Sequence, residues 1–114
     1  MEMHQIRYFL ALSEELNFTR AARRCGVTQP SLTNAMRALE RELGAPLFHR
    51  RPRIELTALG GAIRPYLQEI ARHAHNARET ARAFVPEVTV SRGAPESFRT
   101  MNGGMPQAVY TERT

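Results

Sequence analysis

The chain has 114 residues, enough for one small domain with an appendage and too few for a large self-sufficient core. Net charge is +5, and all sixteen basic residues are arginine, with neither lysine nor aspartate present. The single cysteine excludes an internal disulfide, no run approaches the ~18 apolar residues of a membrane span, and MEMHQIRYF lacks the basic-then-apolar pattern of a signal peptide.

A cytoplasmic, membrane-free protein is the expectation. The basic charge is concentrated. Between Arg20 and Arg53 eight arginines face only Glu40 and Glu42, a local charge of +6. Such a field favours a polyanion, most simply nucleic acid. An anionic membrane is the rival partner, but these arginines do not sit opposite a broad apolar face on one isolated helix.

In chain order, a first helix is predicted from about Glu2 to Leu16, with Ile6, Phe9, Leu10 and Leu16 on an apolar stripe, Ser13 between them and Leu12 widening it. Asn17 is placed to cap a second helix, Phe18 to Cys25, whose Ala21 and Ala22 allow close approach. Gly26 can take the left-handed conformation that ends it. Val27 tucks under the turn, Thr28 caps a third helix, and Pro30 fits its first turn.

The third helix divides into faces. Leu32, Ala35, Met36, Leu39 and Leu43 form a buried stripe, while Pro30, Thr33, Asn34, Arg37 and Arg41 gather opposite. That polar face suits base edges and phosphates in a major groove. An ordinary helical hairpin with a solvated face would show the same local pattern, and short helix-turn-helix matches arise by accident.

Gly44 and Pro46 end the third helix. Leu47–Phe48 and 54–56 then read as two short strands joined through Arg50, Arg51, Pro52 and Arg53. A basic hairpin beside such a helix is a wing, its arginines reaching phosphates or the minor groove. A solvated tip that only confers solubility is the bland alternative.

Thr57 caps a long helix predicted over 58–84. Leu59, Ile63, Tyr66, Ile70, Ala74, Ala77, Ala81 and Phe84 recur in steps of three and four, a near-heptad seam that pairs most simply with the same helix of a second copy. Leu67 lies beside the seam and can widen it toward the core, and Pro65 interrupts the helical hydrogen bonding. After Val85 the chain becomes rich in proline and glycine, with one strand-like stretch at 88–90, and reads as an irregular, flexible tail.

Taken together, IRYFLALSEELNFTRAA, VTQPSLTNAMRALERELGAPLF, the wing, and Leu56, Thr57 and Gly60 resemble the N-terminal DNA-binding region of LysR-type transcriptional regulators over about residues 1–85. The resemblance implies recognition-helix roles for Thr28, Gln29, Pro30, Ser31, Thr33, Asn34 and Arg37, and wing roles for Arg50 and Arg53. It also implies a homodimer through the long helix that can associate further. Three features depart from the family: 51–56 is one residue short, Leu59 stands where alanine is usual, and no two-lobed effector domain follows within 114 residues.

The expected fold is therefore mainly α. A three-helix winged helix-turn-helix domain with a two-stranded wing occupies 1–57, with the helix-turn-helix at 18–37. A long dimerisation helix at 58–85 and an irregular tail at 86–114 follow. The expected function is sequence-specific, double-stranded DNA binding in transcription regulation, with Thr28, Gln29, Pro30, Ser31, Thr33, Asn34, Arg37, Arg50, Arg51 and Arg53 as contacts. The alternative is an interaction module forming mixed dimers with full-length relatives. No enzyme, cofactor, metal or small-molecule effector is expected: Cys25 sits in the helix-turn-helix and the histidines are scattered.

Overall fold

The computed structural model describes residues 1–85. It contains α1 (Met3–Glu15), α2 (Phe18–Cys25), α3 (Gln29–Leu43), β1 (Phe48–His49), β2 (Glu55–Leu56) and α4 (Ala58–Phe84). The strand-like stretch at 88–90 and the tail from 86 onward lie outside the described residues. The chain divides into two units, between Ala74 and His75.

In the first unit, helices end where local chemistry supplies a cap. Asn17 Oδ1 accepts the Arg20 N–H at 2.8 Å, and Thr28 Oγ1 accepts the Ser31 N–H at 3.2 Å. Gly26, at φ 72°, closes α2 in the left-handed region, where a side chain would be strained. The α1 to α2 turn uses the same conformation at Leu16, φ 51°, whose N–H bonds Leu12 O at 2.8 Å. This corrects the expected stripe: the turn swings Leu16 outward, exposed, while Tyr8 and Ala11 are buried instead.

The core lies between the three short helices, the wing and the first turns of α4. Phe9, Leu12, Leu32, Met36, Leu39, Leu47, Phe48 and Leu67 are fully buried. Each contributes on the order of 2 kcal/mol of apolar burial. Leu43 and Val27 are partly buried against this cluster, as are Leu59 and Ile63 of α4. The inner end of the proposed seam thus packs on the domain's own core, beside Leu67.

The wing pairs Phe48 with Leu56 and His49 with Glu55, antiparallel. The first strand begins one residue later than predicted. Leu47 has left the ladder to bury its side chain: its N–H donates to Glu40 Oε2 at 2.8 Å and its carbonyl accepts the Thr57 N–H at 3.0 Å. Thr57 also caps α4, accepting the Gly60 N–H at 3.0 Å while donating to Pro46 O at 2.8 Å. These bonds tie the end of α3, the wing and the start of α4 into one junction.

In the second unit, the described part is the C-terminal end of α4, where Ala77 and Ala81 are exposed and Phe84 is 82% exposed.

Candidate nucleic-acid interface

The two faces of α3 separate as its spacing predicts. Leu32, Ala35, Met36 and Leu39 are buried, while Pro30, Ser31, Asn34, Arg37 and Arg41 are exposed and Thr33 is half-buried. Burial of the apolar stripe fixes the rotation of the helix, so the core holds the polar face outward.

The start of α3 carries a small hydroxyl and amide network. Thr28 donates its hydroxyl to Ser31 Oγ at 3.0 Å, and Gln29 Oε1 accepts from the Thr19 hydroxyl of α2 at 3.4 Å. The second bond steadies the Gln29 carboxamide, whose amide hydrogens can donate to an acceptor outside the protein. Farther along, Arg37 and Arg41 line an open hollow with Glu40, Gly44, Ala45 and Pro46.

The arginines fall into two groups. Arg20 pairs with Glu15 at 3.2 Å, and Arg24 pairs with Glu14 at 2.5 Å and Glu15 at 3.3 Å. The Glu14 hydrogen bond pushes the Arg24 guanidinium further above its ordinary range. A charge count starting at Arg20 misses these carboxylates, which α1 brings across to α2. Arg37, Arg41 and Arg51 are exposed, and the 80% exposed Arg53 side chain reaches Glu55 at 2.8 Å. Exposed pairs of this kind are weak and yield readily to a phosphate.

Arg50 differs from the other wing arginines. Its guanidinium meets Glu40 at 3.5 Å, donates to Phe48 O at 3.3 Å and lies 5.4 Å from the Phe18 ring centroid. The sequence pattern places it with Arg51 and Arg53, and the structure turns it inward. Glu40, in sequence only one of two acids within the basic stretch, is its partner.

Cys25 is half-buried, packed against the core. Burial pushes its thiol up, outweighing the opposite pull of Arg7 and Arg24. Among the described residues no group of three His, Cys, Asp or Glu could hold a metal ion, and no helix is long and apolar enough to cross a membrane.

The family model described as bacterial regulatory helix-turn-helix protein, lysR family, matches residues 3–61. The chain belongs to the lysR family. Its regulator relatives include IlvR of Caulobacter vibrioides, 47% identical over 83 residues, which cover 72% of this chain and 28% of IlvR. TcbR of Pseudomonas sp. (strain P51) is 39% identical over 106 residues, covering 89% of this chain and 36% of TcbR. This lysR-family chain therefore spans about a third of the length of these relatives. Among solved structures, the CbnR DNA-binding domain in complex with DNA matches with a TM-score of 0.68 and 42% identity, over 73% of this chain and 97% of that one. The match establishes the winged helix-turn-helix architecture with its long following helix.

Proposed function

We propose that the chain is the DNA-binding and pairing module of a lysR-family transcription regulator, acting by binding rather than catalysis in the bacterial cytoplasm. The observation that carries this reading is the outward polar face of α3, fixed by four fully or nearly buried residues behind it and flanked by a basic hairpin. In this reading α3 enters the major groove. Gln29, Pro30, Thr33, Asn34 and Arg37 face base edges, Thr28 and Ser31 the adjoining backbone, and Arg51 and Arg53 the phosphates beside the wing. The DNA complex of the CbnR domain supports it, as does the regulator role in the names of IlvR and TcbR.

Pairing of two copies through α4 completes the proposal. Tyr66 and Ile70 are exposed apolar side chains on the first unit's part of α4, as Phe84 is on the second unit's part. A two-fold dimer presents two recognition helices to half-sites separated by whole helical turns.

Gel shift of the purified chain against fragments flanking its own coding region, at two salt concentrations, tests the reading. Shifted fragments with a steep salt dependence are expected. Asn34→Ala should change which fragments are preferred, while Arg51→Ala should weaken all of them alike and lower the salt slope by about one. A folded sample that shifts no DNA at low salt removes the proposal.

A further inference from the structure

We propose that Arg50 is a positioning residue of the wing, clamped by Glu40, and that Arg51 and Arg53 alone supply the wing's phosphate contacts. This rests on the DNA-binding reading above and refines it.

Glu40 sits near the end of α3 with its side chain only 13% exposed. One oxygen, Oε2, accepts the Leu47 N–H at 2.8 Å and lies 3.5 Å from Arg50 Nη1; the other, Oε1, lies 3.5 Å from Arg50 Nη2. The carboxylate therefore faces the guanidinium with both oxygens while holding the chain segment that enters β1. Arg50 Nη1 also donates to Phe48 O, and the cation lies over Phe18, the first residue of α2. One guanidinium thus bridges the recognition helix, the first wing strand and the helix before the turn.

That placement leaves little of Arg50 for DNA. Its side chain is 31% exposed against 80% for Arg53. Withdrawing it toward a phosphate would abandon a half-buried carboxylate that meets no second cation within 4 Å among the described residues, which is the costly way to break a pair. The 3.5 Å separations make the clamp a positional restraint rather than a tight bond. Its effect is on the angle at which the wing leaves α3, and through that on whether Arg51 and Arg53 reach the backbone when α3 is seated.

The clamp makes an unusual prediction for Glu40→Gln. Removing a negative charge beside a DNA-binding helix ordinarily strengthens binding. If Glu40 serves to hold Arg50 and Leu47, the amide should instead weaken it, about fivefold, the size expected for coupling between neighbouring charged groups. Arg50→Ala should weaken binding by a similar factor without lowering the salt slope, and the double variant should be no worse than either single one. Arg51→Ala and Arg53→Ala should each lower the slope by about one.

The experiment is fluorescence anisotropy of a labelled mixed-sequence duplex over a salt series, with circular dichroism melts of every variant. Weaker binding by Glu40→Gln with an unchanged slope for Arg50→Ala supports the assignment. Tighter binding by Glu40→Gln, or a slope that falls by about one in Arg50→Ala, overturns it and makes Arg50 a phosphate contact. Should Arg50→Ala fail to fold, the sign of the Glu40→Gln effect decides alone, since that change is isosteric. A wild-type chain that ignores the duplex overturns the DNA-binding reading itself, and the positioning role with it.

Discussion

Gly60 is the glycine with the least room among the described residues. A Cβ added there would lie 2.2 Å from Leu47 O and 2.9 Å from Leu56 Cδ2. The first obstacle is backbone already bonded to Thr57, so it cannot swing aside as a side chain would. Gly60→Ala is expected to cost about 2 kcal/mol or more, roughly 10 °C in Tm. Gly61→Ala provides the control: its Cβ meets nothing within 4 Å, and alanine in a helix is better than glycine by about 0.5–1 kcal/mol. Melts of the two variants should therefore move in opposite directions. The sequence marks Gly60 as part of a family pattern, but the carbonyl that explains it comes from thirteen residues upstream and only folding brings it there. Arg50 was hidden in the same way. It reads as one of three wing arginines, and its partner Glu40 lies ten positions back across a turn.

The helices were legible because their ends are local. A cap needs a short side chain at one position and a bond to a backbone group three residues on, both visible in NFTR and TQPS. Their consequences can be measured. Asn17→Ala removes the acceptor of the Arg20 N–H and should cost about 1 kcal/mol in urea unfolding, while the folded fraction keeps its affinity for DNA. Thr28→Ala should cost a similar amount and also weaken DNA binding, because Thr28 is proposed to face the backbone of the duplex. Equal effects of the two on DNA would argue that Thr28 acts through stability alone. What periodicity could not show was where a helix stops obeying its own stripe. Leu16 fits the spacing of Ile6 and Phe9, yet it serves as a left-handed cap and points outward. Leu47 fits a strand, yet the core and Glu40 take it before the ladder starts.

At the scale of the molecule, the repeat of three and four along α4 does not separate the positions that enter the core from those left exposed. Leu59, Ile63 and Leu67 contribute to the domain's own core, Leu67 at 1% exposure. Tyr66 and Ile70, on the same unit, are 70% and 42% exposed, and they are the surface proposed above for pairing. Replacing both with charge, Tyr66→Glu with Ile70→Arg, leaves the described core untouched, so the melting temperature at low concentration should change little. Light scattering should then show a monomer where the unaltered chain is expected to form the proposed dimer. Linked half-sites gain their affinity from the high effective concentration of the second recognition helix, so the monomer should lose far more on a duplex carrying two half-sites than on one carrying a single half-site. If the variant stays dimeric, the pairing surface lies elsewhere. If it is monomeric but keeps full affinity for the double site, recognition requires only one copy of α3, and the two-fold arrangement has no part in it.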